Sequence, residues 1–90
     1  MQSQQVLEHL EELAARLGVE IVYQRLAEEE FSVRGGLCKI NGVFKVFIDR
    51  SKPVDEQIKI LAQGLSAFNV EEVYLFPSVR EVLDRARRSP

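Results

Sequence analysis

The chain has 90 residues, 46% hydrophobic and 29% charged, with a net charge of −2 and a pI near 5.4. That length makes one domain, 1–90, which buries only about 60–65% of its unfolded surface, so its core is small and contact with a partner would add burial. The acidic balance argues against a general nucleic-acid binder, the single cysteine excludes an internal disulfide, and no apolar run approaches the roughly 20 residues that span a bilayer.

The charge is unevenly placed. Residues 1–30 hold seven acids against Arg16 and Arg25, and residues 31–90 hold ten bases against seven acids, giving −5 and +3. The two ends could attract each other within a chain or between chains, but solvated helix faces are the plainer reading, since exposed ion pairs contribute little. The start, MQSQQVLEHLEEL, has neither a basic segment nor an apolar signal core. With one cysteine and no such signal, the expected location is the cytoplasm.

Taken in order, residues 3–17 are expected to form a helix. Val6, Leu7, Leu10, Leu13, Ala14 and Leu17 recur at helical spacing. Ser3 is the expected N-cap, Gly18 suits the left-handed position past the last turn, and Glu12 and Arg16 are spaced for an i,i+4 pair. Val19 to Leu26 predicts a first strand, with Val19, Ile21 and Tyr23 on one face. Ala27 to Glu30 predicts a loop, because three adjacent glutamates suit solvent. A second strand is expected from Phe31 and Val33 to Ile40, with Gly35-Gly36 as a bulge.

The sharpest local signal is Asn41-Gly42 between two apolar runs. Both residues tolerate φ > 0, as a two-residue type I′ hairpin turn requires. That turn sets Ile40 against Val43, Lys39 against Phe44, Cys38 against Lys45 and Leu37 against Val46. Leu37, Phe44, Val46 and Ile48 then share one face, and Cys38, Ile40, Val43 and Phe47 share the other. Both faces are apolar, so each is expected to meet something, and the second set is the candidate interaction surface.

A helix is expected to begin near Pro53, with Asp55 and Glu56 favouring its positive end and Val54, Ile58, Leu61, Ala62, Leu65 and Phe68 as its apolar stripe. Gly64 costs about 1 kcal/mol there relative to alanine, which a close helix–strand approach would justify. Asn69 is the expected C-terminal cap. Val70 to Phe76 is too apolar for a free loop and is expected to pack irregularly on the core. Ser78 to Glu81 reads as a capping box opening a last short helix with Val79, Val82, Leu83 and Ala86 inward, and Arg85, Arg87 and Arg88 at its negative end. The expected fold is α+β: an N-terminal helix, a three-stranded antiparallel meander, a longer helix and a short C-terminal helix.

The strand-pair-then-helix order of residues 35–68 resembles the core of zincin-like metallopeptidases, in which the helix carries L-A-H-E-x-x-H. The corresponding run here is Leu61-Ala62-Gln63-Gly64-Leu65-Ser66-Ala67. Gln63 and Ala67 stand where the zinc-binding histidines would be, and Gly64 stands where the general-base glutamate would be. Neither alanine nor a neutral amide ligates zinc, so the resemblance implies a relic without peptidase activity. The chain is also similar to a family of small uncharacterised bacterial proteins with a GGLC-type hairpin followed by a helix, which brings no function with it.

Other chemistry is thinner. Cys38 and His9, the only histidine, would be needed together for a nucleophile–base pair, but a strand-interior cysteine and an exposed helix histidine are the plainer account. Lys45 opposite Cys38 would make the thiol more reactive if they touch. Asp49, Asp55 and Glu56 gather at the strand–helix junction, where capping explains them better than a cation. Gly35-Gly36 lacks the helix start that a phosphate loop needs.

No catalytic residue, metal ligand or cofactor is expected. The function expected is a non-enzymatic interaction or homodimerisation module, partnered by a second copy or another protein and not by a membrane. A dead zincin relic acting as a regulator is the alternative, and weak nucleic-acid binding through the arginines of the last helix is the second.

Overall fold

A computed structural model of the chain describes residues 1–24 and 36–88. The expected end of the first strand at Leu26, the loop Ala27–Glu30, the strand start at Phe31 and Val33, and Gly35 of the bulge lie outside the described residues. The elements are α1 Ser3–Leu17, β1 Val19–Gln24, β2 Leu37–Ile40, β3 Val43–Asp49, α2 Val54–Leu65 and α3 Pro77–Arg88.

The apolar stripe of α1 is buried as its spacing dictates: Val6, Leu7, Leu10, Leu13 and Ala14 are all inside, with Leu17 packed at the margin. Gln2, not Ser3, is the N-cap, and its backbone N–H donates to Gln5 Oε1 at 2.9 Å. The Ser3 hydroxyl instead donates to Asp55 Oδ1 at 2.9 Å, tying the start of α1 to the start of α2. Gly18 ends the helix at φ 76°, and its N–H reaches back to the last turn, so β1 begins one residue later.

The fold class is α+β, but the sheet is mixed and not a meander. Its strand order is β1-β3-β2, with β1 parallel to β3 and β2 antiparallel to it. The expectation treated consecutive strands as neighbours. The chemistry of β3 explains why it takes the centre instead. It is the longest strand among the described residues, seven residues, and Val43, Phe44, Val46, Phe47 and Ile48 put apolar groups on both of its faces. The outer strands are the more polar: β1 carries Glu20 and Gln24 and β2 carries Lys39, which suit edges. The parallel register runs from Val19 beside Phe44 to Gln24 beside Asp49, and the Arg50 N–H extends it to the Gln24 carbonyl at 3.0 Å.

The hairpin has the expected turn and register. Asn41 and Gly42 adopt φ 51° and 82°, and the four pairs from Leu37–Val46 to Ile40–Val43 form. Val46 and Ile48 are fully buried, and α2 packs on their strand. Gly64 lies against this face: a Cβ there would sit 3.0 Å from Val46 Cγ2 and 3.8 Å from Leu37 Cβ. The close helix–strand approach is therefore the reason for a glycine in mid-helix.

Three boundaries differ from expectation. α2 stops at Leu65 with Ser66 as its C-cap, so Phe68 packs on the core from beyond the helix. Asn69 is not a cap; its Oδ1 accepts the Glu71 N–H in a local turn. α3 starts at Pro77, where the missing N–H is harmless, so Ser78 sits inside the helix and no capping box forms. α3 equals α2 at 12 residues and packs on α1 and α2 rather than on the sheet. Between them, Val70 is buried, Val73 and Leu75 turn inward, and Tyr74 and Phe76 turn out.

Candidate interaction face of the sheet

Side chains alternate across each strand, so the paired registers assign every strand residue to a face. One face carries Val19, Ile21, Tyr23, Leu37, Phe44, Val46 and Ile48, packed into the core, together with the exposed Lys39 beside Phe44. The other carries Glu20, Val22 and Gln24 of β1, Cys38 and Ile40 of β2, and Val43, Lys45, Phe47 and Asp49 of β3. Among the described residues, no helix lies on that second face.

The four expected interaction residues do share this face, and they adjoin. Ile40 and Val43 pair directly at the turn and are 42% and 41% exposed. Cys38 pairs with Lys45, and Phe47 lies two residues along from Lys45; Cys38 and Phe47 are half-buried. The parallel register adds a fifth apolar member, Val22, beside Phe47. It also sets Glu20 beside Lys45, whose Nζ lies 3.3 Å from Glu20 Oε2. The face thus has apolar ground on either side of one ion pair. Sequence reasoning missed Val22 and Glu20, because their place depends on a parallel pairing that no local signal announces.

Residues considered for catalysis are not brought together. Cys38 is on the helix-free face, while His9 is on α1, its ring 4.6 Å from that of Phe76. The zincin-motif positions do not share a helical face either. Gln63 is exposed on α2, Gly64 is pressed against Val46, and Ala67 lies beyond the last residue of the helix. Asp49 accepts the Ser51 N–H and hydroxyl at 2.9 and 2.7 Å in a local turn, and Asp55 accepts the Ser3 hydroxyl across the two helix starts, so both serve the fold. Among the described residues, no three His, Cys, Asp or Glu side chains gather as a metal site would need.

The arginines of α3 have separate roles. Arg87 Nε and Nη2 donate to the Ser66 and Phe68 carbonyls at 3.3 and 2.9 Å, so it caps the end of α2 rather than only its own helix. Arg85 pairs with Glu81 at 3.1 Å. Tyr23 donates to Glu11 Oε2 at 2.6 Å, and burial first, then that bond and the carboxylate charge, push its hydroxyl well above the ordinary tyrosine value.

Two recesses lie on the helical side. One, about 610 Å³, runs between α1, α2 and α3 over Val6, Ile58, Ala62 and Val82. The other, about 190 Å³, is formed by α1 and the stretch before α3. No helix among the described residues is long and apolar enough to cross a membrane. In comparisons with known proteins, the chain matches no family model, no curated protein and no solved structure.

Proposed function

We propose that the chain is a non-enzymatic interaction module that pairs with a second copy of itself through the helix-free face of its sheet. The observation that carries this reading is the apolar set Val22, Cys38, Ile40, Val43 and Phe47 on one face, on either side of the Glu20–Lys45 pair, with Ile40 and Val43 more than two-fifths exposed. A two-layer α/β unit leaves such a face wet, and two sheets stacked about 10 Å apart bury it on both sides.

A two-fold arrangement suits the charge on this face. In an isologous interface each surface meets its own copy, so Glu20 of one protomer can face Lys45 of the other while the apolar residues meet across the axis. The arginines give less support to a phosphate-binding role, since Arg87 is held by carbonyls and Arg85 by Glu81. Sedimentation equilibrium on the full chain tests the proposal. The expected result is a reversible dimer that Val43→Lys converts to a folded monomer. A wild-type monomer at hundreds of micromolar would overturn it.

A further inference from the structure

His9, Glu12, Leu13 and Arg16 are spaced i, i+3, i+4 and i+7, so they form one stripe of α1. The stretch Val73–Phe76 runs beside that stripe, Val79 of α3 contributes to the wall, and together they line the 190 Å³ recess. Its ground is apolar: Leu13 and Val79 are buried, and Val73 and Leu75 are half-buried. Its rim is aromatic. Tyr74 is 76% exposed, Phe76 is 42% exposed, and their rings meet edge-on at 5.8 Å.

The charged groups here are not evenly paired. His9 Nδ1 lies 3.5 Å from Glu12 Oε2, so Glu12 turns back toward His9 and away from the expected pairing with Arg16. Arg16 has no hydrogen-bond or ion-pair partner among the described residues. An unpaired guanidinium beside apolar ground and two exposed rings offers a planar fork for a carboxylate and a surface for what the carboxylate is attached to.

We propose that this recess binds a single carboxylate carried on an apolar, aromatic-sized body, with Arg16 on the carboxylate and Tyr74 and Phe76 against the body. The size fits, since the recess falls below the ~300–1,000 Å³ of drug-sized sites and takes about one large side chain. The charge fits too. Glu12 shares the recess, so a singly charged carboxylate is favoured over a phosphate, which would meet more repulsion. Such a group occurs in a free aromatic acid and in the C-terminal phenylalanine of a peptide.

The test is an NMR titration of the isotopically labelled full chain with 3-phenylpropionate, 3-phenylpropanol, and a tripeptide ending in phenylalanine as free acid and as amide. Both acids are expected to give saturable shifts at Leu13, Tyr74, Phe76 and Val79, with the alcohol and the amide weaker by at least about tenfold. Arg16 is exposed, so Arg16→Gln is expected to leave the fold intact and lose a similar factor, with partial recovery in Arg16→Lys. A peptide binding more tightly than the small acid assigns the site to a chain end; parity or the reverse assigns it to a free acid. The proposal is overturned if the alcohol binds as well as the acid, if Arg16→Gln binds as well as the native chain, or if no acid saturates at ~10 mM, near the weak limit for specific ligands.

Discussion

At the scale of single residues, Gly64 and Tyr23 show opposite ways of using a tight contact. Replacing Gly64 by alanine would gain about 1 kcal/mol of helix propensity, but the new Cβ would stand 3.0 Å from Val46 Cγ2. Val46 is fully buried and β-branched, so it cannot swing aside, and overpacking of this kind costs about 1–3 kcal/mol. Gly64→Ala is expected to lose about 1 kcal/mol net in urea unfolding, and to become neutral or stabilising in a Val46→Ala background. Equal effects in both backgrounds would remove Val46 as the cause. For Tyr23, burial and the Glu11 bond favour the protonated hydroxyl in the folded state. That advantage is fully present below the unfolded value of about 10, and it fades as pH rises above it because the unfolded chain gives up its proton first. Stability should therefore fall on the alkaline side. Tyr23→Phe should flatten that limb, while costing about 1 kcal/mol at neutral pH for the lost bond, taken low because the site is only partly buried. An unchanged alkaline limb in the variant would contradict the assignment.

At the scale of elements, local chemistry was readable and long-range pairing was not. Asn41-Gly42 announced its hairpin because the turn needs two positive φ angles, which few adjacent pairs supply. The six-residue stripe of α1 did the same for that helix, and the 3.0 Å contact at Gly64 answers the cost its sequence position implied. Strand order was not legible, and the expected meander failed, because parallel pairing of β1 is set by packing far along the chain. The candidate face followed suit: the hairpin residues were visible in advance, and Val22 and Glu20 were not. The sequence alone places Arg87 and Arg88 alike at the negative end of their own helix. Their contacts separate them, since Arg87 alone of the two donates to the carbonyls that end α2. Arg87→Ala is expected to cost about 1 kcal/mol and Arg88→Ala less than about 0.5 kcal/mol. Equal losses in thermal unfolding would restore the dipole as the dominant effect.

At the scale of the whole molecule, the helices occupy one side of the sheet and α3 adds a further layer to that side, away from the strands. Among the described residues the core lies on one side of the sheet, and a chain of this length has a small core and modest stability. Pairing through the open face would couple folding to association, and that coupling has a measurable form. A dimer that forms only from folded chains raises stability by mass action, so the melting temperature climbs with protein concentration. Ile40 and Val43 lie outside the buried core, so the double variant Ile40→Lys, Val43→Lys should keep the native melting temperature measured at low concentration. It should also lose the rise with concentration, because two lysines on each copy would meet across the axis as unpaired like charges. Calorimetry of both chains over a hundredfold dilution range separates the alternatives. A melting temperature independent of concentration in the native chain would place the apolar face outside any self-association. A rise that persists in the double variant would move the association to another surface.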